Sequence, residues 1–198
     1  MASFLPNPPT PIQELLTPIT TIKYRSDLND PREFHLSSND GSFSFYIQKA
    51  SPFGYRTKYY EEFDLFSTGA VREFYLNPSG DNPIAEHLPL VLKRLPALEA
   101  LLISRAFLSS GSLLAFSSEP LLCQSLKTIA FFECSFDQEF ITALEGIVAK
   151  RGHSTAARLH RVVFIGSRGL PDFSSIGQLQ KFVPHVDVVL GNRIPYLL

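Results

Sequence analysis

The chain has 198 residues, of which 44% are hydrophobic and 19% charged, and its formal net charge is −1. That composition belongs to a folded protein with a core of its own, and it excludes wholesale disorder and the clustered Lys and Arg of a nucleic-acid interface. Its two cysteines, Cys123 and Cys134, form no C-x-x-C pair and stand beside no spaced histidine set, which excludes a disulfide framework or a zinc site and fits a reducing compartment.

Residues 1–18 hold Pro6, Pro8, Pro9, Pro11 and Pro18 and read as a proline-rich leader, because proline at that density blocks helix interiors and removes ladder donors. The leader lacks the basic and then apolar order of a secretory signal. No apolar run approaches the ~18 residues that span a membrane, so the expected location is cytoplasmic or nuclear. The folded domain is expected over residues 19–198 and opens on Ile19-x-x-Ile22-x-Tyr24. Residues 19–70 are its irregular part. There Ser42-x-x-Phe45-x-Ile47 puts Ser where an apolar anchor belongs, and Asn39-Asp40-Gly41 is a tight-turn signal. A hairpin of Phe34–Leu36 against Phe43–Ile47 therefore competes with a regular unit.

From residue 71 one phrase recurs: Val71-x-x-Phe74-x-Leu76, Leu98-x-x-Leu101-x-Ile103, Leu126-x-x-Ile129-x-Phe131, Leu159-x-x-Val162-x-Phe164 and Val183-x-x-Val186-x-Val188. The middle positions 74, 101, 129, 162 and 186 are separated by 27, 28, 33 and 24 residues. Units of this size stack so that each covers its neighbour's apolar face. The last two apolar positions of each phrase alternate as in a strand with one buried face. Between phrases the spacing turns helical. Residues 84–95 align Leu88, Leu92 and Leu95, with Pro89 expected in the first turn. Ser112–Phe116 supports only a short helix or turn. Residues 136–150 align Phe140, Leu144, Ile147 and Val148, with Ser135 and Gln138 as a capping box and Lys150 and Arg151 at the negative end. Residues 175–183 repeat the logic with Ser175 and Gln178 at the start and Ile176, Leu179 and Phe182 as the stripe. Alternating strands and helices predict a parallel sheet with helices packed on it.

Leu126–Cys134 places Cys134 at the Asn/Cys position of the leucine-rich-repeat pattern L-x-x-L-x-L-x-x-N/C, which the phrase resembles. Ser79, Ala106, Ser167 and Gly191 depart from that pattern in the other units. The resemblance implies an α/β fold: an irregular leucine-rich-repeat-like solenoid of roughly five to seven units, with a parallel sheet on one face and helices on the other. The strings Ser125-LKTIAFFECSF, Ala149-KRGHSTAARLHRVVFIGSRG and Val183-PHVDVVLG, with Val71-REFYLNP and Phe34-HLSSNDG, resemble the C-terminal repeat region of F-box-type proteins of mushroom-forming fungi. In that family an F-box docks on a Skp-type adaptor of a cullin ubiquitin ligase, and the repeats recruit the substrate. Residues 1–18 are too short for an F-box, so the resemblance implies the recruiting half without the docking half, and no direct binding of a Skp-type adaptor.

Four groups of residues invite a chemical reading. Phe164–Gly169 follows a strand like a phosphate-cradling loop, yet it has neither G-x-x-x-x-G-K-[ST] nor G-x-G-x-x-G spacing, and Pro171 delays the next helix. Ser167, His160 and Asp172, with His153 nearby, would make a hydrolytic relay only if they converge. Cys134 would be a nucleophile only with a lowered thiol pKa. The basic cluster Lys150, Arg151, His153, Arg158, His160 and Arg161 reads as a solvated helix end and loop. In each phrase the residue between the anchors should face away from the core: Tyr75, Leu102, Ala130, Val163 and Asp187, flanked by Glu73, Lys127 and Arg161. This mostly apolar row favours a non-enzymatic protein–protein interaction module that needs no cofactor or metal and binds neither nucleic acid nor membrane. Tyr75, Arg105 and Arg161 are its candidate partner contacts, since Tyr and Arg are common interface anchors. The alternative is a small α/β hydrolase or phosphate-binding enzyme, whose sheet would reverse its strand order at a switch point.

Overall fold

The computed structural model describes residues 19–26, 32–38, 44–49, 68–78, 84–113, 116, 122–152, 158–169 and 173–189. The chain is mixed α/β and built on a mainly parallel sheet. Its strands are β1 (Thr21–Ser26), β2 (Arg32–Ser37), β3 (Ser44–Lys49), β4 (Glu73–Pro78), β5 (Ala100–Ser104), β6 (Phe107–Leu108), β7 (Thr128–Phe132), β8 (Ser135–Phe136), β9 (Arg161–Ile165) and β10 (His185–Val189). The main sheet has eight strands in the order β10-β9-β7-β5-β4-β1-β2-β3. From β1 through β4, β5, β7 and β9 to β10 every pairing is parallel and the strands follow chain order. Beyond β1, β2 and β3 pair antiparallel, with Phe34 opposite Ile47 and Leu36 opposite Phe45, so the hairpin prevails over a regular unit there. Residues 1–18, read above as a leader, and residues 39–41, expected as a tight turn, lie outside the described residues.

The recurring phrase sets the register. Its middle residues pair directly across the sheet: Ile22 with Phe74, Phe74 with Leu101, Leu101 with Ile129, Ile129 with Val162 and Val162 with Val186. A one-residue slip would turn each apolar set to the wrong face, which is why the pattern fixes the pairing. Strands β4, β5, β7 and β9 also start alike, with two consecutive amides donating to one carbonyl of the preceding unit, while β10, after Pro184, keeps one such contact, from His185 to His160 at 3.1 Å. Arg72 and Glu73 donate to Thr20 at 2.7 and 3.0 Å, and Glu99 and Ala100 to Arg72 at 2.7 and 2.9 Å. Lys127 and Thr128 donate to Glu99, and His160 and Arg161 to Lys127, at 2.8 and 3.0 Å in both cases.

The strand ends share a second device. Arg105, Glu133 and Gly166, the first residues after β5, β7 and β9, take φ of 53°, 51° and 60°. Their amides donate to Phe132, Ile165 and Val189, the last residues of the next strands, at 2.8, 2.7 and 2.9 Å. The chain then runs into a short second ladder in which β6 pairs parallel with β8 and Ser135 bridges to Arg168. Gly169 closes this ladder at φ +72°, where an added Cβ would lie 2.7 Å from the Phe136 carbonyl. Gly169→Ala is therefore expected to cost about 2–3 kcal/mol, from backbone strain and the clash together. The measurement is the urea midpoint at unchanged slope.

Helices α1 (Ile84–Lys93), α2 (Phe140–Gly152) and α3 (Phe173–Leu179) and the 3-10 turn Ser110–Leu113 complete the frame. Leu88, Val91 and Leu92 of α1, five α2 residues from Phe140 to Val148, and Leu179 of α3 join the strand anchors in one core. Several details differ from the sequence expectation. Pro89 lies inside α1 and not in its first turn. Ser135 does not cap α2, because it belongs to β8. Asp137 does so instead, accepting from the Glu139 amide at 3.2 Å through Oδ1 and from Ser110 N at 3.1 Å through Oδ2. The third helix covers 173–179 and ends in turns before Val183. Arg151 is not solvated. It is 2% exposed, and its guanidinium donates to the Leu122 and Cys123 carbonyls at 2.9 and 2.8 Å. Among the described residues no helix is long and apolar enough to cross a membrane.

Candidate interaction surface

Strand alternation gives the sheet two unlike faces. Ile22, Phe74, Leu101, Ile129 and Val162, with their i+2 partners, face the helices and are sealed in the core. On the other face the register sets side chains in rows. Lys23, Tyr75, Leu102, Ala130, Val163 and Asp187 are direct neighbours across six strands. Ser104, Phe132, Ile165 and Val189 form a second row toward the strand ends. Ala130, Val163 and Ile165, 4%, 8% and 7% exposed, make a separate apolar cluster with half-buried Leu102, Phe132 and Val189 against it. No helix residue among those described belongs to this cluster. The face is polar over β1 and β4 and mostly apolar over β5, β7 and β9, and β10 adds Val189 beside polar His185 and Asp187. Sequence reasoning found the row from Tyr75 to Asp187 but missed Phe132, Ile165 and Val189, whose signal was the same two-residue alternation carried one step further.

The three candidate contacts stand on different margins of the patch. Tyr75 borders it on the β4 side. Its hydroxyl donates to Glu73 Oε2 at 3.2 Å, an oxygen that also accepts from Thr21 Oγ1 at 3.4 Å, and the Lys23 ammonium lies 4.9 Å above its ring. Burial, then the charge of Glu73 and that hydrogen bond, push the Tyr75 hydroxyl up to about 12, so it stays a neutral donor. Arg161 stands at the start of β9 and donates through Nε to Asp187 Oδ2 at 2.7 Å. Arg105 stands at the strand ends and donates through Nε to Glu133 Oε2 at 2.9 Å. At the strand starts Glu99 takes hydrogen bonds from both Lys127 and Arg72, which hold its carboxyl below the usual range, Lys127 most strongly. Such exposed pairs contribute little to stability. They place charges of both signs around the apolar centre.

Among the described residues, the structure does not bring Ser167 and His160 together. His160 precedes β9 and Ser167 follows it, so the strand separates them by about 16 Å or more. Asp172 and His153 lie outside the described residues, as do Ser79 and Gly191. Ser167 instead has a structural partner set. Its hydroxyl donates to Phe131 and Ile165 carbonyls, both at 3.4 Å. Cys134 does the same one unit earlier, donating from Sγ to Ile103 at 3.4 Å and Phe132 at 3.5 Å. Each bonds the strand two residues back and the strand of the preceding unit, so Ser167 fills the Cys134 role. Burial pushes the Cys134 thiol up to about 11 and the Cys123 thiol up to about 12, which leaves little thiolate near neutral pH. Among the described residues no three His, Cys, Asp or Glu side chains are grouped to hold a metal ion.

No family model, curated protein or solved structure matches the chain.

Proposed function

We propose that this protein is a non-enzymatic protein–protein interaction module, an irregular leucine-rich-repeat-like scaffold whose partner docks on the face of the sheet against which no described helix packs. The observation that carries the reading is the set of half-buried apolar side chains Leu102, Phe132 and Val189 over the buried Ala130, Val163 and Ile165, with the Arg161–Asp187 and Arg105–Glu133 ion pairs at its margins. An apolar patch rimmed by polar groups is the usual form of a docking surface. Two regularities support the repeat reading: the doubled amide contacts at the strand starts and the matching roles of Cys134 and Ser167. The parallel strands β1, β4, β5, β7, β9 and β10 follow chain order, while the sheet changes direction at β1, on whose other side β2 and β3 pair antiparallel. By its resemblance to F-box-type proteins, the partner is a protein to be recruited.

The test is comparative affinity capture from the source cell with wild type, the patch variant Leu102→Glu/Phe132→Glu and the helix-side variant Lys181→Glu, read by quantitative mass spectrometry. Both altered patch residues are half-buried at the patch edge, and circular dichroism verifies that each variant is folded. At least one protein is expected on wild type and Lys181→Glu beads and reduced about tenfold or more on the patch variant, the loss that burying charge in an apolar contact implies. Equal recovery on all three sinks the reading.

A further inference from the structure

The strand-end corners create a second surface feature at the margin of the apolar face, sharing the Arg105–Glu133 pair with its rim. Arg105, Glu133 and Gly166 occupy equivalent corners held by the same hydrogen bond to the next strand, so they stack at the interstrand spacing of about 4.8 Å. Read along the stack, the side chains are a guanidinium, a carboxylate and nothing. The corner needs a left-handed φ, and at the third position glycine meets that need and leaves a gap. Two residues on, the second ladder sets Arg168 beside Ser135. The Arg168 amide donates to the Cys134 carbonyl at 2.8 Å and its own carbonyl accepts from Phe136 N at 3.2 Å, so its backbone is fixed. The outcome is a hollow of about 350 Å³ lined by Arg105, Glu133, Ser135, Gly166 and Arg168.

The charges in this hollow do not cancel. Glu133 is met by Arg105 at 2.9 Å, which leaves the guanidinium of exposed Arg168 as the excess charge. Among the described residues no carboxylate pairs with Arg168. A guanidinium fork presents parallel donors to two oxygens of one group, and the Ser135 hydroxyl on the same wall adds a donor. We propose that this hollow is a carboxylate-binding site, with Arg168 as the bidentate fork and Ser135 as the second donor. The ligand is a single carboxylate, such as a peptide C-terminus or an acidic side chain. Glu133 disfavours a dianion close by, so inorganic phosphate is the weaker ligand.

The experiment titrates the full chain with sodium acetate and, separately, inorganic phosphate at constant ionic strength, following amide and arginine Nε resonances by NMR. Saturable shifts confined to Ser135, Gly166 and Arg168 are expected with acetate in the millimolar range, and weaker ones with phosphate. Arg168→Met, a change at an exposed side chain, is expected to weaken acetate binding about tenfold, the worth of a charge-assisted bidentate contact. Glu133→Gln is expected to tighten both ligands and phosphate more. Tighter binding of phosphate than acetate by wild type overturns the carboxylate assignment. Linear, unsaturable shifts in every titration, or an unchanged Arg168→Met, overturn the site itself. Because the probes are small anions, failure here leaves the docking face untouched, and the reverse holds as well.

Discussion

Replacing Phe131 by alanine is expected to lower the free energy of unfolding by about 4 kcal/mol, the upper range for losing a buried ring. Phe131 is fully buried in β7, where its ring stacks on Phe164 at 5.3 Å between centroids and meets Phe136 and Phe140 edge-on, each at 5.5 Å. It thus joins two neighbouring strands, the second ladder and α2. Truncation removes its transfer free energy and leaves a cavity that rigid neighbouring strands cannot close. Phe131→Leu keeps most of the volume and is expected to cost about 1–1.5 kcal/mol. Urea unfolding followed by far-ultraviolet circular dichroism measures both, which suits a chain without tryptophan. Since domains are stable by only about 5–15 kcal/mol, the alanine variant should sit near the edge of folding at room temperature. A loss below about 1 kcal/mol would mean that the aromatic cluster is not the mechanical centre described here.

Arg151→Met is expected to cost about 3 kcal/mol, although it removes a buried charge whose desolvation is itself unfavourable. Burial lowers the Arg151 pKa from its ordinary value, as it must for a desolvated cation. Exchanging a buried ion for a hydrophobe is often neutral when both partners are exchanged. Here the acceptors are the Leu122 and Cys123 carbonyls, which no side-chain substitution can remove. Cys123 holds the left-handed conformation, φ 50°, in the turn leading to β7, and its carbonyl also accepts from Leu126 N at 2.9 Å. Methionine fills the space but leaves the Leu122 carbonyl without its guanidinium donor and the Cys123 carbonyl with Leu126 N alone, and a buried acceptor left unmet costs about 1–3 kcal/mol. Arg151→Lys keeps the charge but cannot serve two carbonyls with a planar fork, and an intermediate loss is expected. The same urea series checks it, and a methionine variant as stable as wild type would show that desolvation dominates.

The sheet was legible because its signal is local and repeated. Phe74, Leu101, Ile129, Val162 and Val186 could be aligned from spacing alone, and they are the residues that pair in register. The hairpin was visible as a competitor through alternation around Asp40-Gly41. What stayed hidden depends on contacts between units. Arg151 sits among charged neighbours at a helix end, and nothing in that string says that a turn 28 residues earlier closes over it. Ser135 has the spacing of a helix cap, but its amide is taken by Ala106 at 2.9 Å, so the helix begins later on Asp137. Two-residue strands such as β6 and β8 have no periodicity to read. Ser167 seemed a departure from the Cys134 pattern, yet it lies three residues after Phe164 as Cys134 lies three after Phe131, and a hydroxyl serves the same two carbonyls. Of the interaction surface, the first row was readable and the second was not, because the phrase was traced only as far as its last anchor.

The corner amides give the protein a direction. Arg105, Glu133 and Gly166 each depend on a carbonyl supplied by the strand that comes after them. Loss of β10 would deprive the Gly166 corner of its acceptor, and a loosened β9 would then release Glu133, so disorder would travel upstream one unit at a time. The doubled contacts at the strand starts point the other way and tie each unit to the one before. Among the described residues, a unit inside the sheet is therefore clasped from both sides, whereas β10 is clasped from one. On this account slow hydrogen exchange should be deepest around β5 and β7 and should thin toward β10, a gradient written by the hydrogen bonds of the corners and not by the hydrophobicity of the strands.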